Sequence, residues 1–315
     1  MEEVKMEELN YHNPVLLQES IDGLAIKPDG TYVDVTFGGG GHSALILKQL
    51  GPKGRLFAFD QDADAAENVI EDERFKLIPH NFRFLKRFLR LEGVRKIDGL
   101  LADLGVSSHQ FDTAERGFSF RFDALLDMRM NQGADLTAER VVNTYNAQQL
   151  QHIFGMYGEV RNSKTLAQTI VQKRDSGVAL KTIGDFVTAI DKCIKGKKNR
   201  YLSQVFQALR MEVNEEIEVL KEMLWQSTEV LETGGRLVVI SYHSLEDRLI
   251  KSLIKKGTFE KEPEKDDFGN FYQPLKAINK KIIIPTDKEI KENPRARSAK
   301  MRIAERTDKK PLLFN

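Results

Sequence analysis

The chain has 315 residues, of which 41% are apolar and 30% charged, and a formal net charge of +1 at pH 7. That is ordinary globular composition with room for one large domain or two modest ones, and it carries no global polyanion-binding signature, so local clusters must make any nucleic-acid contact. The single cysteine, Cys193, excludes internal disulfides and cysteine-rich zinc sites. No run approaches the ~20 apolar residues of a membrane span, and the acidic start Met1-Glu2-Glu3-Val4-Lys5 lacks the apolar core of a signal peptide. The expectation is a cytoplasmic protein without membrane contact.

Strand and helix signals alternate from residue 31. Apolar β-type runs are expected at 31–37, 54–60, 74–78 and 97–103, with helical patterns between them. This is the rhythm of an α/β fold, a parallel sheet covered on both faces. The first run closes in Val33-Asp34-Val35-Thr36-Phe37-Gly38-Gly39-Gly40-Gly41-His42-Ser43, and a helical pattern follows. A plain turn needs one or two glycines; four in a row let the backbone approach a ligand, with helix N–H groups aimed at it. The second run closes in Asp60, placed to accept hydrogen bonds from a ribose diol. Asp62 and Asp64 behind it are better suited to capping. After the third run, Arg83, Lys86, Arg87 and Arg90 interleave with Phe82, Phe84 and Phe88. The fourth run closes in Asp103-Leu104-Gly105-Val106-Ser107-Ser108-His109-Gln110.

Beyond residue 110 the rhythm stops. Helices are expected from Ala138 to Tyr145, Ala147 to Met156, Ser163 to Arg174 and Ile183 to Cys193, with Lys192, Lys195, Lys197, Lys198 and Arg200 crowding the far end. A helix over 214–231 then leads to Gly234-Gly235 and a buried strand at 236–242. That strand closes in Tyr242-His243-Ser244-Leu245-Glu246-Asp247-Arg248, where Ser244 reads as a helix cap. Residues 260–275, with Glu264, Lys265 and Asp267, read as a solvated loop. Lys281-Ile282-Ile283-Ile284-Pro285 predicts a final strand stopped by proline. The tail carries Arg295, Arg297, Lys300, Arg302, Arg306, Lys309 and Lys310 against Glu305 and Asp308.

The simplest organisation is one α/β domain built from residues 1–110 and 206–315, interrupted by an all-helical insertion at 111–205. Two successive domains would leave the strand at 236–242 without a sheet. Three basic clusters on a near-neutral chain predict a surface that meets phosphates along one side. His42, His109 and His243 stand at strand ends, but nothing in their spacing demands a metal, and none is expected. An NAD-dependent oxidoreductase would share the glycine loop and Asp60. Its third glycine position falls on Ser43, and no second nucleotide-binding half follows.

Six ordered segments carry a family resemblance: 34–43, Asp103 to Ser108, Glu115-Arg-Gly-Phe-Ser-Phe120, Leu126-Asp-Met-Arg-Met130, Tyr242 to Arg248 and Asn293-Pro-Arg-Ala-Arg-Ser298. From His12 to about Arg306 the chain resembles the RsmH (MraW) family, bacterial methyltransferases acting on the N4 amine of a cytidine in 16S ribosomal RNA. The resemblance implies a Rossmann-like class I sheet that uses S-adenosyl-L-methionine (AdoMet). It implies a P-site cytidine of the assembled small ribosomal subunit as substrate. It places the cofactor on Gly40, Gly41, His42, Asp60, Phe82, Asp103 and Gln110. Asp103 is the candidate acceptor for an amine N–H, with His243 or Ser241 sharing the role. DNA amine methyltransferases usually carry Asp/Asn-Pro-Pro-aromatic after the fourth strand, where this chain has Asp103-Leu104-Gly105-Val106. Another aromatic must therefore stack on the cytosine, and Phe118, Phe120 and Tyr242 are the candidates. The insertion is expected to read RNA; the alternatives are a lid or a dimer surface, so monomer and homodimer both stay open. A non-catalytic ribosome-assembly factor is the remaining alternative, against which intact Gly40, Gly41, His42, Asp60 and Asp103 argue.

Overall fold

A computed structural model describes residues 14–263, 265–266 and 269–309. His12, Met1 to Lys5, Glu264, Asp267 and Lys310 lie outside the described residues. The chain separates into two compact units, Met1–Gly105 with Glu218–Asn315, and Val106–Ile217.

The first unit is built on strands β1 (Thr31–Asp34), β2 (Arg55–Phe59), β3 (Phe75–Ile78), β4 (Ile97–Asp103), β5 (Leu231–Ser241), β6 (Leu275–Ala277) and β7 (Lys300–Arg306). They form one Rossmann-like sheet in the order β3-β2-β1-β4-β5-β7-β6. Strands β1 to β5 run parallel, and β7 is antiparallel to both β5 and β6. Alternation along each strand sends side chains to two faces. Val33, Phe57, Leu100, Ala102, Leu237 and Val239 enter one core with the Leu85–Leu91, Glu216–Val230 and Ser244–Lys256 helices. Tyr32, Leu56, Leu101, Val238 and Ile240 enter the other with the Leu17–Leu24 and Gly41–Gln49 helices. The central strands are therefore apolar on both sides, which is why they read as continuous apolar runs. Leu100→Ala, at a fully buried position, removes about 2–5 kcal/mol of such packing.

The chain winds outward from β1 to β3 and then returns to β4 on the other side of β1. The strand order reverses there, so a crevice opens beyond the carboxyl ends of β1 and β4.

The second unit holds the Ala138–Thr144, Ala147–Met156, Ser163–Asp175, Ile183–Ile190 and Lys198–Val213 helices. Capping boxes start two of them, Asn146 with Gln149 and Thr182 with Asp185. Its core gathers Leu150, Phe154, Leu166, Ile170, Phe186 and Phe206. The unit runs past residue 205 because the Lys198–Val213 helix buries Val205, Phe206, Ala208 and Leu209 in that same core.

Two expectations change in the C-terminal segment. Residues 281–285 are not a strand: only Ile283 makes an isolated bridge, to Met301, while Ile282 and Ile284 stay exposed. The closing strand is β7, inside what reads as a basic tail. Its alternation buries Met301 and Ile303, and two of its cations serve the fold. Arg302 forms a two-armed ion pair with Asp247, at 2.7 and 3.1 Å, and Arg306 donates to the carbonyls of Thr228, Pro274 and Thr307.

Candidate active site

The glycine loop is held by its own sequence. Asp34, buried at the end of β1, accepts from the Ser43 hydroxyl at 2.8 Å and from the Thr36 N–H at 3.1 Å. This ties the strand end to the first turn of the Gly41–Gln49 helix. Thr36 Oγ1 in turn accepts the Asp103 N–H at 2.7 Å, joining the ends of β1 and β4. Gly40 caps the helix with φ 76°, where a side chain costs about 1–2 kcal/mol. A Cβ on Gly41 would overlap the Pro14 ring. At Gly38 and Gly39 a Cβ would meet nothing within 4 Å, so the loop presents bare backbone to open space.

Asp60 ends β2 beside that loop. One carboxylate oxygen accepts the Gly38 N–H and the other the Asp62 N–H, both at 2.9 Å. Each oxygen keeps a second acceptor position. Burial pushes this carboxyl up to about 6, against the pull of the two N–H groups. Asp62 caps the following turn by accepting the Asp64 N–H. Phe82, half-buried, starts the turn after β3 that Asn81 caps.

Asp103 is the partly exposed last residue of β4. Its Oδ1 accepts the Tyr242 hydroxyl at 2.8 Å. Burial pushes its carboxyl up to about 6, with His42 and the tyrosine hydroxyl pulling the other way. Burial and the facing carboxylate drive the Tyr242 phenol far above its usual range, so it remains a donor at every working pH. Tyr242 is itself pinned by Glu246, a buried carboxylate that accepts the N–H groups of Tyr242 and His243 at 2.9 and 3.0 Å.

Several expected residues turn out to have other work. His243, not Ser244, caps the Ser244–Lys256 helix, and its Nδ1 accepts the Leu245 N–H at 3.2 Å. Ser241 is buried and donates to the Lys300 carbonyl. Phe118 is buried in the core of the second unit, and the partly buried Phe120 ring meets Phe206 at 73°. Gln110, also in the second unit, closes a capping box with Ser107. Asp34, Thr36, Tyr242 as the Asp103 partner and Glu246 went unassigned in the sequence. The Asp-x-Thr spacing before the glycines was the visible signal for the first two, and the Tyr242-to-Arg248 segment for the others.

The residues present fit a sulfonium nucleoside. The glycines leave room for its amino-acid end, Asp60 retains acceptor positions for a diol, and Phe82 offers an apolar surface for adenine. His42 supplies an independent observation. Its Nε2 is buried without a hydrogen-bond partner among the described residues, which native proteins seldom leave so.

Fold and site together define an AdoMet-dependent methyltransferase, and a model of the MraW methylase family matches residues 10–307. A "Ribosomal RNA small subunit methyltransferase H" from Flavobacterium johnsoniae is 60% identical over 299 residues, covering 95% of this chain and 98% of that one. Proteins of the same name are 59% identical in Christiangramia forsetii, over 94% of this chain and 98% of theirs, and 55% identical in Bacteroides thetaiotaomicron, over 96% and 100%. The chain belongs to the MraW methylase family.

Proposed function

We propose that this enzyme methylates the exocyclic N4 amine of a cytidine in the decoding (P-site) region of 16S ribosomal RNA, with the assembled small subunit as substrate. The observation that carries the reading is Asp103 at the end of β4, its backbone N–H held by Thr36 from the end of β1 and its carboxylate by the Tyr242 hydroxyl. The relatives' shared name gives the reading its RNA.

A cytosine amine is a poor nucleophile because its lone pair is delocalised into the ring. The cofactor supplies an electrophilic sulfonium methyl. What the protein must add is alignment. In this reading Gly40, Gly41 and His42 hold the methionine end, Asp60 the ribose diol and Phe82 the adenine. Asp103 accepts one amine N–H and turns the nitrogen lone pair toward the methyl. Transfer would leave a neutral thioether and a cationic, acidic amine, whose proton would pass to the Asp103 carboxylate that holds it and on to solvent. The target base must be splayed out of its stack to reach Asp103. The helical unit, with Lys192, Lys195, Lys197 and Arg200, contributes RNA contacts whose affinity falls with salt.

The test is transfer of labelled methyl from AdoMet to unmethylated small subunits. Asp103→Ala is expected to lose transfer by several orders of magnitude while still folding. Near-full activity in that variant would remove Asp103 from the mechanism.

A further inference from the structure

The Asn293-to-Ser298 motif supplies none of the residues assigned above to the cofactor. It borders a cavity of about 290 Å³ lined by Tyr242, Ile284, Pro285, Ile290, Arg297 and Lys300, among others. We propose that this cavity seats an RNA nucleotide adjoining the target base, its phosphate on Arg297 and Lys300 and its ribose or base on Ile284, Pro285 and Ile290. The inference rests on the RNA-methyltransferase reading above and adds a substrate subsite to it.

Strand order places the cavity on the acceptor side. Asp103 ends β4, which lies between β1, bearing the glycine loop, and β5. Tyr242 follows β5 and Lys300 opens β7, one strand further from the loop. Tyr242 is the shared wall: its hydroxyl holds Asp103 while the residue lines the cavity. A group seated there sits across Asp103 from the cofactor loop, where the RNA flanking a splayed cytosine must run.

Charge argues for phosphate. Arg302 and Arg306 are committed to the fold. Among the described residues, Arg297 and Lys300 are left without a carboxylate partner, while Arg297 is exposed. Local structure fixes where Arg297 stands. Asn293 Oδ1 accepts the Arg295 N–H, Pro294 opens a short 3-10 turn, and buried Ala296 and Ala299 pin the turn on either side of it. A bare phosphate would need no apolar wall. Ile284, 60% exposed, with Pro285 and Ile290, provides one, as expected for a nucleotide whose base or sugar packs on the protein.

The experiment measures methyl transfer to unmethylated small subunits by Arg297→Ala, Lys300→Ala and Arg297→Lys at several salt concentrations. Lys53→Ala, on the turn before β2, which lies on the far side of β1 from β4, is the charge-matched control. Each alanine variant is expected to raise the RNA KM about tenfold and to lower the salt slope by about one. AdoMet affinity and melting temperature stay unchanged, Arg297→Lys recovers most of the loss, and Lys53→Ala behaves as wild type. Wild-type KM and salt slope in both alanine variants would overturn the inference while leaving the substrate reading intact. No transfer by the wild-type enzyme would overturn the substrate reading, and this inference with it.

Discussion

The Tyr242 hydroxyl donates to Asp103 Oδ1 at 2.8 Å, joining the end of β5 to the end of β4. The tyrosine cannot ionise in the working range, so the bond runs in one direction only. It leaves the second carboxylate oxygen of Asp103 as an acceptor and restrains the carboxylate's rotation. Glu246 holds Tyr242 from behind through two backbone N–H groups, so the acceptor geometry is set by a segment on the helix after β5.

Tyr242→Phe tests that relationship. The hydroxyl pulls the Asp103 carboxyl down, so its loss should move the acid limb of the rate profile above its position near 6. We expect kcat to fall about tenfold, equivalent to about 1.4 kcal/mol, with AdoMet affinity unchanged. A pH–rate profile and an AdoMet titration read both. An unshifted profile would reduce Tyr242 to packing.

Asp103 should be a stability liability. Its folded pKa lies above the ordinary 3.8, so the folded state holds the proton more tightly than the unfolded one. The ionised carboxylate is therefore a cost that grows as pH rises from about 4 to 6 and is fully present above that. Asp103→Asn keeps an oxygen for Tyr242 and removes the charge. Urea unfolding should find it more stable than wild type by about 2 kcal/mol at pH 8, with the gap closing toward pH 4, while its methyl transfer is lost. A gap independent of pH would contradict the assignment.

Asp60 is expected to bind the ribose diol as its anion. AdoMet affinity should weaken as pH falls through about 6, where burial has placed this carboxyl. Asp60→Ala should lose about 10–100-fold in affinity, the range for hydrogen bonds to a charged group. Calorimetry with an AdoMet analogue lacking the diol hydroxyls separates contact from loop support. Wild type should lose affinity for the analogue, and Asp60→Ala should lose little more.

His243 should matter for stability more than turnover. Its Nδ1 caps a thirteen-residue helix, so His243→Ala should cost about 1 kcal/mol. His243→Asn, which can cap, should keep both stability and near-normal kcat. Loss of turnover in a stable His243→Asn variant would return His243 to the chemistry.

What the sequence displayed and what it hid follow from the range of the interactions. Strands β1, β2, β4 and β5 and the glycine loop were legible because burial on both faces forces continuous apolar runs, and because bare backbone at a ligand requires glycine. Asp60 was legible by position. β7 was hidden because its period-two alternation is crowded with charge, and only the fold reveals that Arg302 is neutralised by Asp247, 55 residues earlier. Residues 281–285 misled for the converse reason: an isoleucine run ending at proline has strand composition, yet Ile282 and Ile284 find no core. The Tyr242–Asp103 bond spans 139 residues and follows no local pattern. His243 could be placed at a strand end from sequence, but its engagement as a cap depends on ring orientation.

The central claim is that Asp103 aligns a cytidine amine for methylation. Unmethylated small subunits should be incubated with enzyme and AdoMet, and the RNA digested and mapped by mass. The account predicts one added methyl on the N4 amine of a single decoding-region cytidine, absent with Asp103→Ala. A methyl on ring carbon, on ribose or on another nucleotide would contradict it.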